Sequence, residues 1–178
     1  DSPGMNAALR AMTKVAAARG VRVVGVIDGY DGLIDGHTRD LTIPAAHTAG
    51  GLAVAPDLDL HGNDGGTILG SARSARFRTP EGRAPAIDRV RGLDGLIVIG
   101  GNGSLTGART LVGFEGPHGP LLVGGVPASI DNDLGCTSMA IGVDTAMNTI
   151  VEACDRILDT AAAHRRTFLV EVMGRDCG

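Results

Sequence analysis

The chain has 178 residues, 43% hydrophobic and 20% charged, with a formal net charge of −4. That length supports one sizeable core or one and a half small domains, and that apolar content excludes a disordered tail. The acidic balance argues against a nucleic-acid binder, four aromatic residues in all argue against base-stacking platforms, and no apolar run has membrane-spanning length.

Met5 to Arg19 reads as a helix: Pro3 and Gly4 precede it, alanine dominates it and Gly20 follows it. Val21 to Ile27 is valine-rich and reads as a buried strand. Asp28 to Gly32 reads as a loop. Residues 36–66 carry no clear element beyond a candidate short helix near Ala45. Ala84 to Arg91 is a short helix, Leu96 to Ile99 a second buried strand, Ser104 to Leu111 a helix, and Leu121 to Val123 a third strand. Ala140 to His164 reads as a long amphipathic helix with Ile150, Val151, Ala153, Cys154, Ile157 and Leu158 among its apolar positions. Phe168 to Val172 is a fourth strand. Strands alternating with helices predict an α/β fold with a Rossmann-like parallel sheet. The chain opens without Met and stops just after a strand and a glycine turn, so it reads as an internal piece of a longer protein.

In parallel sheets ligands sit at the carboxyl ends of the strands. Three unusual loops fall there: Gly100 to Ser104, Pro127 to Asp133, and Met173 to Arg175. Gly100 to Ser104 joins a strand to a helix. Its first-turn amides and the helix dipole suit an anion, and Ser104 can cap the helix or bond a phosphate. A plain strand-to-helix turn accounts for the same residues. Asp131 and Asp133 point to one side of an extended segment. One can accept a proton from an attacking hydroxyl while the other organises magnesium; an Asx-rich turn is the alternative.

The cations are nearly all arginine, Lys14 being the single lysine. Arg73, Arg166 and Arg175 are candidates to grip phosphate with their planar forks, or plain surface charges. Glycine is 28 of 178 residues, above the usual ~7% and without period, which points to tight turns or close backbone approaches. Cys136, Cys154 and Cys177 lack zinc spacing and fit reduced thiols of a cytoplasmic protein.

Taken in order, Asp1 to Asn6, Gly65 to Arg73, Gly100 to Ser104, Ser129 to Asp133 and Glu171 to Arg175 resemble the 6-phosphofructokinase family of bacterial and eukaryotic glycolysis. The resemblance covers essentially the whole chain and is weakest over residues 35–62. It implies a kinase that moves the γ-phosphoryl group of ATP to the 1-hydroxyl of fructose 6-phosphate with Mg²⁺. Asp131 would be the base, with Ser129 and Asp133 beside it. Gly101, Asn102, Gly103 and Ser104 would hold ATP phosphates, with Arg73 and Ser74 along the nucleotide. Asp133 and Asn102 would stand near the metal. Ser129, Asp131, Met173, Gly174 and Arg175 would contact the sugar phosphate. Arg166 would reach it from a neighbouring subunit, so the resemblance implies a homo-oligomer with a shared active site. It also implies a nucleotide-binding domain over residues 1–137 lacking its first strand, then the connecting helix and first strand of a truncated substrate domain over residues 138–178. Such a piece alone is expected to be poorly stable and inactive.

Several positions depart from the family pattern. The family has aspartate where Asn102 stands, which removes a charge near the metal. Ser74 replaces a frequent aromatic, offering adenine less stacking. Asp64 stands where bacterial members carry a basic effector-site residue, which speaks against phosphate effectors. Pyrophosphate-dependent relatives carry an acidic residue at the position of Gly103 and a lysine at that of Ala128, so ATP is the expected donor. Two alternatives to the ATP-dependent kinase remain open: a non-catalytic half that binds sugar phosphate and nucleotide, and a pyrophosphate-dependent enzyme.

Overall fold

The computed structural model describes residues 2–174. Helix α1 (Met5–Ala18) starts after Gly4, whose φ of 89° turns the chain into the first turn. Its buried residues are Met5, Asn6, Thr13 and Ala17, and the Thr13 hydroxyl donates to the Leu9 carbonyl at 2.8 Å. Strand β1 (Val24–Val26) and β2 (Thr38–Asp40) pair antiparallel around α2 (Gly29–Asp35). Strands β3 (Thr42–Pro44) and β4 (Leu52–Val54) form a second antiparallel pair, followed by α3 (Pro56–Leu60). A 3-10 turn at Arg76–Arg78 leads into α4 (Pro80–Val90).

The second half carries the unit that positions the site. Strand β5 (Gly95–Gly100), α5 (Asn102–Arg109), the small hairpin β6 (Glu115–Gly116) and β7 (Gly119–Pro120), and β8 (Leu122–Pro127) follow in order. β5 and β8 pair parallel, with Gly95 opposite Leu122 and Gly100 opposite Pro127. The long helix α6 (Val143–His164) comes last. The main core gathers Leu33, Ile34, Phe77, Ala86, Val90, Leu111 and Leu121, with Leu96 and Val123 of the parallel pair packed against it. A smaller core joins Leu134, Ala140 and Val143 to Leu105 of α5.

The α/β class and the βαβ unit match the expectation, and several local readings are corrected. Residues 28–32 are not a loop. Asp28 takes a left-handed conformation (φ 56°) and α2 follows, held because Leu33 and Ile34 bury against the core. No helix forms near Ala45, where the Thr48 hydroxyl is shared between the carbonyls of Ala45 and Leu52 and closes a turn. Helix α4 begins at Pro80 rather than Ala84, because the Thr79 hydroxyl caps it by accepting from the Gly82 amide.

Among the described residues the parallel ladder is β5–β8, and β1 pairs with β2. A cleft of about 1200 Å³ lies between β1 and β5, lined by Val24, Val26, Leu96 and Val98 and by Met5 and Leu9 of α1. Phe168 to Val172 is not a strand; it is solvent-exposed, with Leu169 98% accessible. A strand needs a neighbouring backbone edge for its hydrogen bonds, and this run has none among the described residues. The apolar face of α6 is open as well: only Val143 is buried, and Met147, Val151 and Leu158 are each more than half exposed. No helix among the described residues is long and apolar enough to cross a membrane.

Candidate functional site

The register of the parallel pair places two loops side by side. With Gly100 opposite Pro127, both chains leave the sheet at the same edge, and the Ala128 amide still donates to the Gly100 carbonyl at 3.0 Å. A side chain at Gly101 would come within 3.8 Å of the Ser129 hydroxyl. One residue further, the Asn102 amide group donates to the Asp133 carboxylate at 3.2 Å. The glycine loop and the paired carboxylates therefore adjoin at the strand ends.

Helix α5 starts at this edge with Gly101 extended and with no side chain capping its first turn. The amides of that turn lack partners within the helix and project toward the loop edge. The first turn holds no acidic residue. Gly103 is informative: a side chain there would meet nothing within 4 Å. Packing gives no reason for glycine inside a helix, where alanine is favoured by up to about 1 kcal/mol. A ligand brought against the backbone does give one.

The carboxylate loop is rigid by its own bonds. The Ser129 hydroxyl accepts from the Asp131 amide at 3.0 Å. Asn132 accepts from the Ala140 amide at 3.3 Å and donates to the Ser138 carbonyl at 3.2 Å. Ile141 bonds in both directions, its amide to Pro127 and its carbonyl to the Ser129 amide, both at 2.9 Å. Asp131 and Asp133 are half-buried on this frame. The turn here is closed by the serine hydroxyl rather than by an aspartate or asparagine side chain.

A third segment is stitched to the same end through Ser2 and Asn6 of the first motif. The Ser2 hydroxyl donates to the Ile141 carbonyl at 3.0 Å. Asn6, 2% exposed, donates to the Asp64 carbonyl at 3.1 Å and accepts from the Ile68 amide at 2.8 Å. Its own amide donates to Gly66 at 3.2 Å. The Asp28 amide holds the Leu69 carbonyl at 2.7 Å. These bonds anchor the small-residue loop that ends in Arg73, whose side chain is exposed. Ser74 is engaged with the protein: its hydroxyl donates to Asp31 at 2.5 Å and accepts from the Phe77 amide at 3.1 Å.

Two ionisable groups near this segment are shifted. The Arg76 guanidinium, bonded to both oxygens of Asp35 at 2.9 and 2.8 Å, holds that carboxyl below its ordinary range. Burial pushes the Tyr30 phenol up to about 12. Tyr30 was missed by the sequence reading, its signal hidden in a glycine-rich stretch. Arg166, Met173 and Gly174 are exposed beyond the end of α6. Arg175 and Cys177 lie outside the described residues. Cys136 and Cys154 are free thiols.

The family model described as Phosphofructokinase matches residues 1–178. The chain is 45% identical to the ATP-dependent 6-phosphofructokinase of Thermotoga petrophila, covering all of this chain and 51% of that protein. It is 46% identical to ATP-dependent 6-phosphofructokinase 2 of Bacteroides thetaiotaomicron, again over all of this chain and 50% of the relative. Among solved structures it superposes on phosphofructokinase from Saccharomyces cerevisiae with a TM-score of 0.80 at 35% identity, covering all of this chain and 25% of that one. The chain spans about half the length of the curated relatives it matches.

Proposed function

Since the chain belongs to the phosphofructokinase family, we propose that it carries the nucleotide side and the proton-accepting residue of an ATP-dependent 6-phosphofructokinase. The observation that carries this reading is the junction of the two loops: the amides of α5 and the carboxylates of residues 131–133 share one strand edge and are tied by the Asn102–Asp133 hydrogen bond. The amides of Gly101 to Ser104 hold the phosphates of ATP, and the glycines admit them. Asp131 accepts the proton of the 1-hydroxyl of fructose 6-phosphate, and the Ser129 hydroxyl fixes the turn that presents it. Phosphoryl transfer needs little more from a protein than this positioning and charge compensation.

Arg73 lies along the nucleotide. Arg166, Met173, Gly174 and Arg175 contact the sugar phosphate, with Arg166 supplied across a subunit interface in a homo-oligomer. The residues also suit magnesium. That ion is usually held by one or two carboxylates together with substrate phosphates. Asp133 and the side-chain oxygen of Asn102 meet this sparse requirement, and no cluster of three acidic, His or Cys ligands exists among the described residues. When bound, the ion neutralises charge on the phosphates. We further read residues 1–137 as the nucleotide domain and 138–178 as the start of the substrate domain. The cleft between β1 and β5 suits one further strand that would complete the parallel sheet.

One observation favours a second reading, a non-catalytic half that binds the same ligands: the Asn102 amide, in place of a carboxylate, satisfies Asp133 directly. A single experiment separates the readings. In the full-length protein, Asp131→Ala should lower turnover with ATP by at least about 10²-fold, the scale of a lost general base, while ATP binding persists. Pyrophosphate should serve poorly in the wild type, because Ala128 offers it no cation. Unchanged turnover in Asp131→Ala refutes the assignment of the base. A wild type that binds both substrates without turnover establishes the second reading.

A further inference from the structure

Resting on the reading of Gly101 to Ser104 as a phosphate cradle, we propose that Tyr30 is a positioning residue for the nucleotide. Through its hydroxyl it sets where the first turn of α5 stands relative to the segment that carries Arg73. The hydroxyl donates to the Ser104 carbonyl at 2.5 Å. That oxygen has two lone pairs, one used by the helix ladder and one open to Tyr30. The ring fills a notch left by Gly107, three residues on: a side chain there would lie 2.7 Å from the ring. On its other face the ring stacks on Phe77, centroids 3.9 Å apart and planes 13° from parallel. Phe77 is 4% exposed and belongs to the main core. The phenol is therefore fixed by stacking before it meets α5.

The same helix, α2, grips the other nucleotide segment. Asp31 accepts from Ser74, directly after Arg73, and Asp35 accepts both nitrogens of the Arg76 fork. α2 thus brackets two stretches that face the ligand, bonded to residues 74–77 by Asp31, Asp35 and the Tyr30 ring, and to α5 by the Tyr30 hydroxyl. The phenol stays protonated through the neutral range, so the bond is present under working conditions. Losing it lets the first turn of α5 drift from the geometry the triphosphate needs. The sugar phosphate, held elsewhere, does not sense the change.

The test uses the full-length protein, two single variants and their combination. Tyr30→Phe keeps the stacked ring and removes only the donor; Gly107→Ala pushes the ring out of its notch. ATP affinity by calorimetric titration, KM for each substrate, kcat and thermal unfolding are measured for all three. Tyr30→Phe is expected to weaken ATP binding about fivefold, the scale of one hydrogen bond, with kcat and the KM for fructose 6-phosphate within about twofold. Gly107→Ala should act in the same direction, and adding Tyr30→Phe to it should cost less than the product of the two, since both break one contact. ATP affinity unchanged in Tyr30→Phe overturns the inference. So does a proportional loss for both substrates that tracks a lowered melting temperature, which marks a merely structural role. The ATP titration reads Tyr30 whether or not the wild type turns over. A wild type that binds ATP but transfers no phosphoryl group therefore counts against the kinase reading alone.

Discussion

Truncating Asn6 tests whether the three segments of the site are held together as described. Asn6→Ala deletes two hydrogen bonds at once, to the Asp64 carbonyl at 3.1 Å and from the Ile68 amide at 2.8 Å. The two losses differ in size. Asp64 is exposed, so water reaches its carbonyl and that loss stays near ~0.5–1 kcal/mol. The Ile68 amide is half-buried and is left facing the space of a side chain that was 2% exposed, which costs about 1–3 kcal/mol. The sum is about 1.5–4 kcal/mol. The assay is the urea midpoint of the full-length protein at constant denaturant slope, with limited proteolysis to ask whether residues 64–73 become cleavable. Arg10→Ala is the control. It breaks the exposed pair between Arg10 of α1 and Asp59 of α3 and should move stability by less than about 1 kcal/mol. An Asn6→Ala loss no greater than that control, with the 64–73 loop still protected, would refute the claim that Asn6 anchors this segment.

Two further outcomes follow from the electrostatics. Asn102→Asp replaces the amide that bonds Asp133 with a second carboxylate, so the variant should melt lower without magnesium and gain more from added magnesium than the wild type. Equal magnesium shifts in thermal unfolding would contradict this. The pH dependence has a defined sign on each side. Tyr30 titrates near its ordinary 10 when unfolded and at about 12 when folded. The unfolded chain therefore sheds the proton first, and stability falls as pH rises from about 10 to 12; Tyr30→Phe should flatten that limb of the denaturation profile. Asp35 behaves oppositely: its hydrogen bonds with Arg76 lower its titration, so its contribution is present at neutral pH and fades as pH falls through that depressed value. Water reaches the Asp35–Arg76 pair and keeps this effect small.

The sequence alone determined what local chemistry determines. Leu96 to Ile99 is a strand because a short apolar run between turn residues has little alternative, and α1 and α6 follow from alanine content and period. The five ordered motifs sufficed for the family. The tertiary structure decided the rest, because it rests on partners distant in the chain. A helix finds its hydrogen bonds four residues away, whereas a strand or a polar side chain must be met by another segment. Phe168 to Val172 has strand composition and no edge to join, so it forms none among the described residues. Asp28 to Gly32 has loop composition, yet α2 starts within it because Leu33 and Ile34 reach the core. The pairing of Asn102 with Asp133, the stitching of Asn6 to residues 64–68, and the seat of Tyr30 against Gly107 span 31, 58 to 62, and 77 positions. No local signal encodes such separations, since only burial and the register of Gly100 beside Pro127 bring those groups within bonding distance.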